Sequence, residues 1–333
     1  ENMEYVFSLL PVIFFLLGLY FSDSFKLAGK SLLFSCLFWG ALAAGASYYI
    51  NTILAKELVI SFTSYTRYLS PIVEELLKAA FVFFLVKRRK IGFTVDGVIF
   101  GFAVGTGFSL AENIVYLLDK AEVSSMLVWI LRRFVTALMH GGSTALLTLI
   151  LMGGVQRDKP LMLSLWPGLV MAYSLHSLFN HFLLNPLLQT AILILLLPLV
   201  FTMVFRKSNS MMQDWLEIEF SSEVEMLRMI RQGQFRSTKA GAYLASLKGY
   251  FDPETIVDLY AYISLYLELS IAAKRNIMLK ESGFDAFLEP TTADSLRELK
   301  QLRKQIGKAG ELAIQPVVRM KHRVLWKLNQ LKK

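Results

Sequence analysis

The chain has 333 residues, is 55% hydrophobic and carries a formal charge of +9, with a mean hydropathy of +0.49. Soluble domains are about 45–50% apolar and rarely average positive, so an ordinary soluble fold is excluded for most of its length. The one cysteine, Cys36, excludes an intrachain disulfide framework and a thiolate zinc cluster.

The apolar residues fall in blocks up to Phe205. Each block is about 17–25 residues, the length a bilayer core requires. The pattern predicts transmembrane helices near 5–21, 31–50, 68–86, 93–118, 125–153, 161–184 and 187–205. The first run lacks a basic leader region and is read as a retained helix. The fold class expected is all-α: a multi-pass transmembrane bundle of about seven helices with a C-terminal helical cytoplasmic domain. The boundary falls at 206, giving domains 1–206 and 207–333.

Connecting segments carry the orientation. Lys26 and Lys30, the run KRRK at Lys87–Lys90, Arg157 with Lys159, and Arg206 with Lys207 share one side of a seven-span chain. Asp119 and Glu122 fall on the other side. The positive-inside rule then places the N-terminus outside and the C-terminal part in the cytoplasm of a cell-membrane protein.

Beyond Phe205 the sequence is amphipathic and holds about two thirds of the net charge. Asp252-Pro253-Glu254 predicts an N-cap with proline at the first helical position, and Thr292–Asp294 a second helix start. The acid-free stretch Ala313–Lys333 mixes Val317, Leu325 and Trp326 with Arg319, Lys321 and Arg323. It suits a helix on anionic lipid or one packed on its own domain. Beside a membrane domain, basic charge reads as orientation and lipid headgroups rather than nucleic acid.

Ionisable residues inside these spans cost at least ~2.5–3.5 kcal/mol each and mark functional candidates. The third helix carries Glu74, Glu75 and Lys78. Adjacent glutamates point about 100° apart. Spacing favours Glu74 (i, i+4) slightly over Glu75 (i, i+3) as the lysine's partner. In the fourth helix a small-residue stripe, Gly97, Gly101, Gly105 and Ser109, leads to Glu112 and Asn113. The fifth aligns Thr136, His140, Thr144 and Thr148; the sixth puts His176 and Asn180 on one face. At ~1.5 Å per residue, Glu74 lies about 9 Å from the outer end of its helix, and His176 and Asn180 about 22 and 28 Å along an outward-running one. The clusters thus share a height in the middle-to-outer membrane.

A carboxylate beside a histidine can activate water, and a histidine with a carboxamide can bind an oxyanion. Peptide hydrolysis needs both. No GxSxG or HExxH is present. A metal held by His140, His176 and a glutamate is chemically open, but no metal or cofactor is required. The competing class is a proton-coupled transporter or channel using the same residues as a relay. The nearly apolar inner half of the spans counts against a through-path. A third reading is an inert relative that only binds membrane proteins.

The motifs PIVEELLKAA, GTGFSLAEN, LMHGGSTAL and LHSLFNH, in order on four successive helices, resemble those of the PrsW family of membrane-embedded proteases, relatives of the CAAX prenyl proteases. The resemblance covers about residues 65–185 and implies a glutamic-type intramembrane peptidase. It implies that Glu74 or Glu75 with His140 prepares water, and that His176 with Asn180 holds the oxyanion. Lys78, Glu112, Asn113 and Thr144 would support them. It favours the first glutamate as base, against the lysine spacing. It also implies a membrane-anchored substrate, such as an anti-sigma-factor-like protein, cut near the extracytoplasmic face. The part after Ser208 lies outside the motifs, so the substrate class alone carries over.

Overall fold

The computed structural model describes residues 2–25, 28–118, 126–181, 183–285, 289–318, 326–328 and 331, with backbone alone for 2–11, 116–118, 126–132 and 186. The described residues form helices and no strand. Two compact units divide the chain, Glu1–Ser208 and Asn209–Lys333.

The first unit opens with α1 (Asn2–Phe21) and α2 (Lys30–Glu57). The short α3 (Phe62–Ser64) leads through a π-helical turn, Tyr65–Leu69, into α4 (Ser70–Lys87). Then come α5 (Thr94–Leu118), α6 (Met126–Gln156), α7 (Leu161–Phe179) and α8 (Pro186–Arg231). A helix therefore stands at each of the seven expected places. Asp96 caps α5 by accepting from the backbone N–H groups of Gly92 and Phe93. The expected outer loop with Asp119 and Glu122 lies outside the described residues.

Among the described residues, six helices are long and apolar enough to cross a membrane: α2, α5, α6, α7, α8 and a later helix, α10 (Pro253–Glu281). The set differs from the expectation in an informative way. α4 carries Glu74, Glu75, Lys78 and Lys87 in only 18 residues, so its composition is polar because it bears the charged cluster. α10 spends its apolar residues on a core of its own unit, with Leu259, Ile263, Leu267 and Ala273 buried there.

The bundle packs most extensively as α5 on α6, α2 on α5 and α6 on α7. Glycine decides the approach. A Cβ on Gly105 would lie 2.1 Å from the His140 carbonyl oxygen, and one on Gly40 2.1 Å from that of Val104. Only glycine lets these helix backbones touch, as membrane interfaces require. α5 sits centrally and buries Val98, Phe102 and Ala103, while α2 and α7 turn Phe34, Phe38, Trp166 and Val170 outward. Exposed apolar rows of this kind suit a hydrocarbon solvent.

α8 runs on to Arg231 instead of ending near Phe205. Polarity changes there, but no glycine or proline breaks the backbone until Gly233, whose φ of +72° stops the helix. The second unit then adds a 3₁₀ turn (Phe235–Ser237), α9 (Lys239–Ser246), a further 3₁₀ turn (Leu247–Gly249), α10 and α11 (Thr292–Ile314). Asp252 caps α10 by accepting from the Thr255 N–H at 2.8 Å, as expected from the sequence. Val318, Leu328 and Leu331 belong to this unit's core, and Trp326 and Lys327 are buried. These described apolar residues of the terminal stretch pack within their own unit. Its Arg319, Lys321 and Arg323 lie outside the described residues.

Candidate active site

Pro71 opens α4 at a position where its missing N–H costs nothing, and the first turn delivers Glu74 and Glu75 inward. Both are buried, as are Lys78, His140 of α6 and His176 of α7. These five side chains meet with Glu112 of α5 in one cluster.

Glu75 is engaged through one oxygen, and its Oε2, like that of Glu74, is buried with no hydrogen-bond partner among the described residues. Its Oε1 accepts from Lys78 Nζ at 2.6 Å, from His176 Nδ1 at 2.8 Å and weakly from Ser143 Oγ at 3.4 Å. Glu74 is engaged on one side only. Its Oε1 accepts from Ser70 Oγ at 2.6 Å. Its Oε2 is buried with no hydrogen-bond partner among the described residues, 3.7 Å from His176 Nε2. The spacing preference is therefore reversed: Lys78 pairs with Glu75 and leaves Glu74 available. Ser70, one turn earlier, draws Glu74 away, while His140 and Ser143 of α6 hold Lys78 and Glu75 on their own side.

The imidazole of His176 fills the angle between the two glutamates. It presents Nδ1 to Glu75 and Nε2 to Glu74, so a hydrogen on Nδ1 leaves the Nε2 lone pair facing Glu74. Lys78 Nζ lies 3.1 Å from His140 Nδ1. An ammonium can only donate, so Nδ1 accepts and the ring hydrogen sits on Nε2, which donates to Glu112 Oε2 at 3.0 Å. The two rings meet edge to face with centroids 4.8 Å apart.

Other expected residues stand apart. Asn180 shares the His176 face, but its amide donates to the Thr66 carbonyl at 2.9 Å, in the π turn. It lies at the C-terminal cap of α7, where the chain leaves the bundle face. Thr144 and Thr148 each donate to the carbonyl one turn earlier, and pack against Gly101 of α5. Asn113 is fully buried, and neither amide atom has a partner among the described residues. Sequence reasoning missed Asn51, Tyr65, Ser70 and Ser143. Ser70 stands at i−4 from Glu74 and Ser143 at i+3 from His140, the one signal that could have found them.

The donor set also fits a divalent cation. Glu74, His140 and His176 each offer a ligand atom, and these lie within 4.8 Å of one another. The unpartnered Glu74 Oε2 is a natural ligand atom, and three carboxyl groups gather there around one lysine.

The family model described as "PrsW family intramembrane metalloprotease" matches residues 28–205, more than half of the chain. No curated protein and no solved structure matches it.

Proposed function

The chain belongs to the PrsW family of intramembrane proteases, and from that premise we propose that it is an endopeptidase in which Glu74 activates water to cut a membrane-anchored protein near the extracytoplasmic face. The observation that carries this is that Lys78 pairs with Glu75, while the buried Glu74 Oε2, without a hydrogen-bond partner among the described residues, lies 3.7 Å from His176 Nε2. Loop charge supports an N-terminus outside and a cytoplasmic C-terminal part, with the cluster toward the outer leaflet.

In this reading Glu74 Oε2 takes a proton from water as the water oxygen bonds to the scissile carbonyl carbon. The C–N bond then breaks, and the protonated Glu74 returns the proton to the leaving amine nitrogen. His176 is aimed by Glu75, as a carboxylate orients a catalytic imidazole. Its Nε2 faces the same space, and as an imidazolium that keeps both ring hydrogens throughout the cycle it would donate to the developing oxyanion. Lys78 pairs with Glu75 at 2.6 Å and, with Glu112, fixes the tautomer of His140.

A second reading has support in the convergence of three ligand atoms. Glu74, His140 and His176 would hold a divalent cation, which would polarise the scissile carbonyl as a Lewis acid. In both readings Glu75, Lys78 and Glu112 keep the same orienting work.

The test is co-expression of the full chain with a library of single-span membrane proteins tagged at both ends. Wild type should yield truncated products, and Glu74→Gln and His176→Ala none. Identical fragment patterns in all three would overturn the proposal. Repeating the reaction with purified protein and 1,10-phenanthroline separates the two readings: loss, restored by zinc, selects the metal, and persistence selects the glutamic route.

A further inference from the structure

The residues leading into α4 form a π turn, Tyr65–Leu69. Such turns are rare, break the regular carbonyl pairing of a helix and recur at functional sites. Three side chains near the end of α7 grip this one. Asn180 Nδ2 donates to the Thr66 carbonyl at 2.9 Å, and Ser177 Oγ to the Arg67 carbonyl at 2.8 Å. His181 Nε2 lies 3.0 Å from the Tyr68 hydroxyl. α2 holds the other side. The Tyr65 hydroxyl donates to Asn51 Oδ1 at 2.9 Å, and Asn51 Nδ2 donates to Ser70 Oγ at 2.8 Å.

The direction of these bonds is fixed. Asn51 must donate through its nitrogen because its oxygen accepts from Tyr65. Ser70 has one hydrogen and spends it on Glu74 Oε1 at 2.6 Å. The chain Tyr65, Asn51, Ser70, Glu74 therefore decides which oxygen of Glu74 is occupied. It leaves Oε2 turned toward His176.

We propose that Asn180 and Asn51 are positioning residues that aim Glu74 through the π turn. This rests on the reading of Glu74 as the reacting carboxylate. α7 then acts twice on one target. His176 meets the Glu74 side chain, and Asn180, one turn later, fixes the backbone from which Ser70 and Glu74 project. The four-residue spacing that suggests a shared oxyanion site instead sets the distance between α7 and the start of α4.

Two measurements on the full chain in proteoliposomes test this. The infrared carboxyl band of Glu74, assigned from the wild-type minus Glu74→Gln difference, reports its hydrogen bonding without any substrate. Asn180→Ala and Asn51→Ala should each shift that band in the direction that Ser70→Ala does, and Asn180→Gln, which keeps a donor, should restore it. Cleavage of a tagged single-span substrate should lose kcat on the order of tenfold to a hundredfold in Asn180→Ala, with KM changed less than about twofold. Combining Asn180→Ala with Ser70→Ala should cost no more than Ser70→Ala alone. An unshifted band, or losses that multiply as for an amide binding the oxyanion independently, overturns the proposal. Should even the wild type cleave nothing, the proposed function falls, while the band still decides the positioning. Where Asn180→Ala fails to fold, Asn51→Ala and Tyr65→Phe decide through the same band.

Discussion

Buried charge is gathered in each unit, under opposite rules. In the second unit Lys274 and Lys327 face Glu219 and Glu223, two cations against two anions. Lys274 Nζ lies 3.2 Å from both glutamates, and Lys327 Nζ lies 3.0 Å from Glu223 Oε1. Ser270 donates to Glu223, and both ammonium groups sit over the Trp215 ring, at 4.9 and 5.5 Å. Every charge there has a partner. In the first unit Glu74, Glu75 and Glu112 face Lys78 alone as the fixed cation, and two carboxylate oxygens, one each on Glu74 and Glu75, have no hydrogen-bond partner among the described residues. Balance is what a structural cluster needs, because an unpaired buried charge is expensive. An excess of carboxyl groups with idle oxygens is instead the mark of a candidate functional site.

The sharpest way to break this contrast is within the first cluster. Glu74→Gln should abolish cleavage, a loss on the order of 10³-fold or more, with little change in thermal unfolding, because the amide keeps an oxygen to accept from Ser70 and exchanges only the idle oxygen for a nitrogen that cannot act as a base. Glu75→Ala should instead destabilise the fold by about 3–5 kcal/mol, since it strands Lys78. Thermal unfolding beside a cleavage assay checks both. If Glu74→Gln unfolds the bundle and Glu75→Ala does not, their roles have been exchanged.

The second cluster carries the next effect. Glu223→Ala removes the anion shared by Lys274 and Lys327, and should cost the second unit about 3–5 kcal/mol. Limited proteolysis confined to residues after Asn209 would report it, with the helices of the first unit still protected. Equal protection of both units in this variant would mean that apolar packing alone holds the second core.

How much of this was legible in the sequence follows from what each signal measures. Hydropathy found the seven long helices of the first unit, though not the short α3, and the Asp252-Pro253 cap found α10, because both signals are local. The ends of α2 and α8 were misplaced for one reason. Asn51 to Glu57 and Arg206 to Arg231 become polar while the backbone stays helical, and only Gly233 stops α8. The site residues were visible as ions at membrane depth. Their division of labour was not, because spacing lets Lys78 reach either glutamate, and Ser70, His140 and Ser143 settle the matter from other turns and helices. The π turn left no mark in the sequence. Asn180 was grouped with His176 by helical period, while its partner, the Thr66 carbonyl, comes from a segment 114 residues away.

The smallest expected effect tests what holds the balanced cluster. Burial pushes Lys327 down from its ordinary 10.5 to about 8; Glu223 opposes the shift, and neighbouring Lys274 adds to it. Between pH 8 and 10.5 the unfolded chain holds a proton on this lysine that the folded chain has released. Stability must therefore rise with pH across that window and be flat on either side, by at most about 3 kcal/mol. Denaturant unfolding of the second unit at pH 7.5, 9 and 10.5 should show the rise, and Lys327→Met should remove it. A flat profile up to pH 10.5 with a fall above it would mean that the pull of Glu223 and Glu219 outweighs burial. Lys327 would then be a firmly paired cation, and the cluster would be held by charge rather than by the apolar shell of Trp215 and Tyr266 around it.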